Sequence, residues 1–174
     1  AAGSLAKLVS SYRSGRSLDA AFYGDAAVFD ADMEAIFARA WQFAGHECEI
    51  QHAGDWFTHE IGRDSVIVAR GSDGGVRAFH NVCRHRGSRI CSQDHGRGQA
   101  FVCPYHAWAY EFDGTLRKAR ATDRLPEFDP AEYSLVPVRL EVMLPWLLAG
   151  LAHGIQATIR SRATRMLEKK TTDV

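Results

Sequence analysis

Short segments rich in apolar residues, each bounded by polar or glycine-containing stretches, follow one another through the middle of the chain and predict β-strands. They occupy residues 56–61, 65–70, 76–80, 100–102 and 135–142. Stretches rich in glycine and aspartate separate the first three, which predicts an antiparallel meander. A hairpin is predicted over 109–117, because Asp113-Gly114 suits a tight turn. Since Pro137 cannot donate a ladder hydrogen bond, the last strand is expected at a sheet edge.

Helical patterns flank this β region on both sides. Asp30 is a suitable N-cap for a short helix, because apolar residues then recur on one helical face. They are Met33, Ile36, Phe37, Ala40 and Trp41. After Val142 an apolar run leads into a basic segment, which we expect to form a helical tail. The pattern therefore divides the chain into a lead and helix over 1–45, a β domain over 46–142 and an atypical tail over 143–174.

The composition excludes several classes of function. In the 174 residues, 21 basic side chains balance 21 acidic ones, so no net charge favours nucleic acid as a partner. If Cys83 and Cys103 are metal ligands, only Cys48 and Cys91 remain, which are too few for the disulfide framework of a small secreted domain. The first residues show no export signal, and the apolar run 142–152 is too short to span a bilayer. We therefore expect a cytoplasmic protein with no membrane or nucleic-acid partner.

Two short motifs carry the candidate chemistry. They are Cys83-Arg84-His85 and Cys103-Pro104-Tyr105-His106. Two thiolates and two imidazoles in this interleaved order are typical of a Rieske centre, in which two cysteines hold one iron of a [2Fe-2S] cluster and two histidines hold the other. We predict one such cluster, bound by Cys83, His85, Cys103 and His106, and no catalytic residue. Zinc also takes two cysteines and two histidines, but its usual spacing does not interleave them.

The residues around these motifs resemble the large (alpha) subunit of Rieske non-haem iron oxygenases, which include the aromatic-ring-hydroxylating dioxygenases. The likeness runs from about residue 29 to residue 142. It is carried by Gly45-His46-Glu47-Cys48-Glu49-Ile50, by the run from Asn81 to Cys91 and by the run from Cys103 to Tyr110. The resemblance implies a Rieske-type antiparallel β-sandwich in an oxidoreductase component, either a dioxygenase or a monooxygenase. It also implies a ferredoxin or flavin reductase as electron donor.

In that family the cluster passes electrons to a mononuclear iron(II), which two histidines and a carboxylate hold in a C-terminal catalytic domain. The sequence offers no residues for that second site. His80 and His85 have the His-x₄-His spacing of the family's mononuclear site, but His85 is already assigned to the cluster, so we treat this match as chance. The resemblance also makes a second copy of the chain a candidate partner, since family members often assemble as trimers.

The sequence departs from the family at several positions. Ala107 stands where glycine is usual after the second histidine, and beyond Val142 the family's next apolar strand is replaced by the predicted tail. A truncated or frame-shifted oxygenase gene would explain this tail, and an amphipathic helix that docks on the sheet or on a partner is the alternative. Ser88 and Tyr105 stand where high-potential Rieske proteins have a disulfide-forming pair, so we predict a potential near the lower end of the Rieske range.

Other interpretations differ in functional class. A free-standing Rieske ferredoxin is the leading rival, but the segment 29–50 belongs to the oxygenase pattern. A zinc-stabilised interaction module is the third.

Cys48 and Cys91 are expected to be buried apolar residues, and Trp108 and Tyr110 to be core aromatics. The free N–H edges of the two ligand histidines are the predicted electron exit, while aromatic rings and quaternary amines remain equally open as substrates.

Overall fold

The computed structural model describes residues 2–120, 122, 126–143 and 146–150. The described residues fall into two compact units, one within 2–40 and the other within 41–150. The described part of the first unit is helical. Helix α1 spans Ala2–Ser11, α2 spans Ala21–Gly24, and α3 spans Ala26–Asp32 and continues as a π-helical turn over Met33–Phe37.

The predicted helix is present but its bounds were wrong. Its N-cap is Asp25 rather than Asp30, because the Asp25 carboxylate accepts a hydrogen bond of 2.7 Å from the backbone N–H of Ala27. The helical stretch ends at Phe37, and Trp41 begins a strand. The spacing of apolar residues up to Trp41 fits a helix, but pairing with a distant strand decides the conformation of that residue.

The second unit is built from two antiparallel sheets within the described residues. The larger sheet has the strand order β1-β10-β9-β4-β3-β2-β5 and the smaller has the order β6-β7-β8. The strands are β1 Trp41–His46, β2 Asp55–Ile61, β3 Asp64–Arg70, β4 Val76–His80, β5 His95–Arg97, β6 Phe101–Val102, β7 Ala109–Tyr110, β8 Leu116–Lys118, β9 Pro137–Met143 and β10 Trp146–Gly150. The fold is mainly β and antiparallel, as predicted.

Strand β3 separates two hydrophobic clusters. Val66 and Val68 pack into one cluster with residues of β1, β2 and β10, whereas Ile67 and Ala69 pack into the other. Because both faces are covered, β3 is an unbroken apolar run rather than an alternating one. The second cluster also contains residues of the small sheet and both cysteines of the two motifs. One face of the central strand therefore forms the floor beneath the candidate site.

Two predictions about the end of the β region were wrong. Strand β9 is not at an edge, since it lies between β4 and β10. Pro137 is tolerated because it is the first residue of the strand, where it pairs with Phe79. The next apolar strand of the family, which was expected to be replaced by the tail, is present over Trp146–Gly150 and pairs with both β1 and β9. The rest of the predicted tail, 151–174, lies outside the described residues.

Strand β10 lies where the family resemblance implied another apolar strand. Its Leu147 and Ala149 side chains are fully buried in the core cluster beside β1. The compact unit thus begins at Trp41 and includes β10, whereas the sequence pattern set its limits at 46 and 142. None of the helices in the described part of the chain is both long enough and apolar enough to cross a bilayer.

Candidate metal centre

The first motif forms a tight loop that closes on its own backbone. The N–H of Cys83 donates to the carbonyl of Ser88 at 2.8 Å, and the N–H of Gly87 donates to the carbonyl of Cys83 at 2.9 Å. A β-bridge between Val82 and Arg89 forms the base of the loop. The loop leaves the large sheet at the end of β4 and returns toward β5. It therefore holds Cys83 at a fixed point beside the core.

The second motif repeats this backbone pattern. The N–H of Cys103 donates to the carbonyl of Trp108 at 2.8 Å, and the N–H of Ala107 donates to the carbonyl of Cys103 at 3.0 Å. Val102 and Ala109 pair at the base, in the hairpin of β6 and β7. The two loops are thus equivalent in hydrogen bonding. The histidine, however, is two residues after the cysteine in the first loop and three residues after it in the second.

Both loops need a left-handed residue four positions after the cysteine. Gly87 has a φ of 71° and Ala107 a φ of 57°, and Ala107 is the only non-glycine residue with a positive φ in the described part of the chain. The departure from glycine noted in the sequence therefore leaves the loop geometry intact. It places a Cβ in a conformation that L-residues disfavour.

The four candidate ligands lie together, with the cysteines on the buried side. Cys83 and Cys103 are each 2% exposed, His85 is exposed and His106 is half-buried. The two imidazole centroids are 4.7 Å apart, with the ring planes at 73°. The Cys103 thiol is close enough to Cys83 to raise the pKa of the Cys83 thiol, after the larger effect of burial. The arrangement is two thiols beneath two imidazoles.

This arrangement fits a two-iron cluster better than a single metal ion. The described residues contain no group of three or more His, Cys, Asp or Glu side chains placed to hold one ion. A tetrahedral zinc site needs its ligands to converge on one point. A Rieske cluster needs only two protein ligands at each iron, because bridging sulfides supply the rest. The side chains provide a pair of neighbouring thiols and a pair of neighbouring imidazoles.

The electrostatics of the site also suit a cationic group. Burial raises the pKa of the Cys83 thiol, while the Tyr110 hydroxyl acts in the opposite direction. A thiolate at this position therefore needs positive charge nearby, which ferric iron supplies. Partial desolvation lowers the pKa of His85, and the charges of His106 and Arg86 lower it further. The lowered pKa favours the neutral imidazole of His85, which is the form that binds a metal.

Tyr110 has a polar contact that sequence reasoning missed. Its side chain is fully buried, and its hydroxyl lies 3.2 Å from the Cys83 sulfur. The same oxygen accepts a 3.1 Å hydrogen bond from the backbone N–H of Arg84. A thiolate has no proton, so in a cluster-bound state the tyrosine must be the donor to sulfur. The sequence offered one indication of this contact, because a tyrosine expected in the core needs a hydrogen-bond partner for its hydroxyl.

Asn81 connects the first loop to the sheet beneath it, which sequence reasoning also missed. Its buried side-chain nitrogen donates to the Ser65 hydroxyl at 3.1 Å and to the Cys91 carbonyl at 2.7 Å. Its side-chain oxygen accepts from the N–H groups of Ile90 and Cys91 at 3.1 and 2.8 Å. Both N–H groups and both oxygen lone pairs of the amide are thereby engaged. Asn81 supplies through its side chain the links that the backbone supplies in the second loop.

A groove of about 750 Å³ opens beside the two imidazoles. Its walls include the rings of Tyr105, Trp108, Phe128 and Tyr133, together with Arg120. Because His85 and His106 both line this groove, their outer edges are accessible from it. The exposed side of the site is therefore concave and largely aromatic.

Comparison with known proteins identifies the family. The Rieske [2Fe-2S] domain family matches residues 40–129, which contain both loops and most of the two sheets. The chain belongs to the Rieske [2Fe-2S] domain family. The Rieske match begins almost where β1 begins, before the start at 46 that the sequence pattern predicted.

The relatives of this Rieske domain are oxygenase subunits. The glycine betaine monooxygenase oxygenase subunit of Pseudomonas aeruginosa is 44% identical over 138 residues, which are 79% of this chain and 32% of that protein. The biphenyl 2,3-dioxygenase subunit alpha of Rhodococcus jostii is 47% identical over 104 residues, 60% of this chain and 22% of that protein. The chain therefore spans about a third or less of these curated relatives, and what it shares with them is their Rieske part.

Solved structures agree with this assignment. Naphthalene 1,2-dioxygenase from Rhodococcus sp. superposes with a TM-score of 0.80 at 30% identity, over 91% of this chain and 37% of that chain. The quaternary ammonium Rieske monooxygenase CntA in complex with L-carnitine gives a TM-score of 0.73 at 32% identity, over 80% of this chain and 40% of that chain. The fold is thus that of the Rieske part of oxygenase large subunits.

The two remaining cysteines of the Rieske domain differ in burial. Cys91 is buried, as predicted, and burial raises the pKa of its thiol to about 12. Cys48 is exposed, so the prediction that it is a buried apolar residue was wrong. It lies in a 3₁₀ turn over Glu47–Ile50, where the buried position is taken by Ile50. Trp108 and Tyr110 are both core aromatics, as expected.

Proposed function

We propose that this chain holds a [2Fe-2S] cluster, with Cys83 and Cys103 at one iron and His85 and His106 at the other. When bound, the cluster accepts and releases one electron. The observation that supports this assignment is the pair of equivalent loops, which bring two buried thiols together beneath two partly exposed imidazoles. The core around the thiols excludes water, and the outer imidazole edges form the route by which electrons enter or leave.

The electron route we propose runs from a ferredoxin or flavin reductase, through the cluster, to a mononuclear iron outside this chain. The accessible edges of His85 and His106 in the aromatic groove support it, because each ligand imidazole has one ring nitrogen left to hydrogen-bond with a partner. We also propose that the acceptor lies in a second copy of the full protein, since inter-subunit electron transfer is named for the structurally similar carnitine oxidation enzyme. A reducing cytoplasm suits a chain in which Cys83 and Cys103 are cluster ligands and Cys48 and Cys91 form no disulfide.

We assign this region to electron transfer rather than to substrate recognition. Relatives of comparable identity are named for glycine betaine, carnitine and biphenyl, which differ in charge and shape. A shared segment that serves such different substrates is better suited to the step that they have in common. A free-standing ferredoxin-like carrier is the second candidate, and the match to oxygenase subunits over 138 residues favours the first.

Anaerobic reconstitution of the full chain with ferrous iron and sulfide tests the proposal. We expect two irons and two acid-labile sulfides per chain, with the rhombic EPR spectrum of a mixed-ligand cluster after reduction. His85→Ala and His106→Ala should each abolish that spectrum. His95→Ala removes an exposed histidine of β5 and serves as the matched control, which should load normally. Stoichiometric zinc without sulfide, or a signal that survives both ligand substitutions, would contradict the assignment.

A further inference from the structure

Both candidate ligand imidazoles lie against an aromatic ring of the second loop. The His85 ring stacks on the Trp108 indole, with centroids 4.7 Å apart and planes 9° from parallel. The His106 ring lies 3.9 Å from the Tyr105 ring, with the planes at 32°. Loop 103–108 therefore supplies a ring partner to each histidine, although His85 belongs to the other loop.

Trp108 is itself held firmly in place. It is 4% exposed, and its backbone carbonyl accepts the hydrogen bond from Cys103 that closes the second loop. Phe128 and Tyr133 meet the indole edge-on, with centroid separations of 5.9 and 5.6 Å. The indole cannot turn without displacing these neighbours, because Trp108 is almost fully buried although it forms part of the groove wall. It presents a fixed flat surface to His85.

Tyr105 restrains its histidine less strongly. It is 58% exposed, and the guanidinium of Arg86 also lies over its ring, 5.7 Å from the ring centroid. A cation–π contact at an exposed position is weak. The ring of His85 therefore packs on a buried aromatic side chain, whereas the ring of His106 packs on an exposed one.

We propose that Trp108 is a positioning residue, whose indole fixes the ring plane of His85. This inference rests on the proposed function, because it concerns His85 as a cluster ligand. An imidazole attached to a metal through one nitrogen can still turn about that bond, and groups packed on the ligand decide its orientation. The backbone of the second loop then sets how a ligand of the first loop meets its iron.

Variants of the full chain test this role. Trp108→Leu removes the flat surface and Trp108→Phe keeps a smaller ring. Phe112→Leu is the matched control, because Phe112 is a buried aromatic of the same core cluster whose recorded ring contact is with Phe101, at 4.6 Å. The readouts are the EPR g values and line widths of the reduced cluster and the nitrogen couplings of the two imidazoles by pulsed EPR.

We expect Trp108→Leu to broaden the EPR lines and to shift the couplings of one imidazole, with a smaller shift in Trp108→Phe and none in Phe112→Leu. Parent-like spectra in both Trp108 variants, or an equal change in the control, would overturn the proposal. If Trp108→Leu does not bind the cluster, the EPR spectrum of Trp108→Phe is compared with that of Phe112→Leu, and the same criteria apply. If neither variant loads while both keep the parent circular dichroism and the control loads, the positioning role is supported. Absence of a mixed-ligand signal in the parent chain contradicts the proposed function instead.

Discussion

The Tyr110 hydroxyl lies 3.2 Å from the Cys83 sulfur and has its own proton free for donation, since its oxygen already accepts from the N–H of Arg84. Hydrogen bonds to cluster sulfur stabilise the additional negative charge of the reduced state and raise the potential. At about 1 kcal/mol for one such bond, Tyr110→Phe should lower the potential by about 40 mV for one electron. A redox titration followed by EPR measures the shift. Tyr133→Phe, a nearby aromatic hydroxyl that packs on Trp108, should leave the potential unchanged.

Ala107 adopts a left-handed backbone conformation with a φ of 57°, which costs an L-residue about 1–2 kcal/mol. Ala107→Gly should therefore stabilise the cluster-free chain by about 0.5–1 kcal/mol, after the added entropy of glycine in the unfolded state is subtracted. The reverse substitution at the equivalent position, Gly87→Ala, should destabilise it by a similar amount. A Cβ at Gly87 meets no atom within 4 Å, so only backbone conformation is tested there. Urea unfolding in parallel checks both signs, and changes of equal sign would contradict the prediction.

Among the connections between elements, the side chain of Asn81 links the two ends of the first ligand loop to each other and to Ser65 of β3. Asn81→Ala would leave the N–H groups of Ile90 and Cys91 and the carbonyl of Cys91 buried without their present partner. At about 1–3 kcal/mol for each unsatisfied group, with partial relaxation, a loss of about 3 kcal/mol in the free energy of unfolding is expected. Ser65→Ala removes one partner of Asn81 and should cost about 1 kcal/mol. Equal costs in urea unfolding would show that the loop does not depend on Asn81.

The sequence pattern predicts the strands whose alternation or apolar run is local, and β2, β3 and β4 appear within one residue of their predicted bounds. The sequence pattern fails where a strand forms by pairing with a segment far away in the sequence. Trp41 continues the helical spacing of the residues before it, yet it forms β1 because β10 pairs with it along the strand. His95–Arg97 has no strand pattern and becomes β5 by pairing with β2. A short apolar run such as 146–150 fits a strand or a helix equally well by period alone.

The candidate site shows the same division. The motifs indicate Cys83, His85, Cys103 and His106 from residue type and spacing, because both are properties of the local sequence. The equivalence of the two loops is hidden in the sequence, since the histidine occupies different positions within them. Contacts between the loops, such as that of Trp108 with His85, depend on how the small sheet packs on the large one. No spacing within one segment encodes that packing.

At the scale of the whole molecule, the limits of the folding unit are set by the strands that close the sheet. Neither core cluster contains a residue before Ala44, whereas Leu147 and Ala149 of β10 are fully buried in one of them. A chain that starts at Trp41 and ends at Gly150 should therefore hold the cluster and unfold cooperatively. A chain that ends at Met143 lacks β10, so β1 loses the strand it pairs with in the described sheet and β9 keeps only its pairing with β4.

Truncation tests which description of the domain is right. Ending the chain after Met143 should lower the free energy of unfolding by at least about 3 kcal/mol, because burial of Leu147 alone is worth about 2–3 kcal/mol and the strand pairs are lost with it. Ending it after Gly150 provides the matched control, which keeps β10 and should unfold like the full chain. Urea unfolding of the two cluster-free chains measures the difference. If they are equally stable, β10 is peripheral, and the limits of 46 and 142 drawn from the sequence pattern describe the domain better than the sheet does.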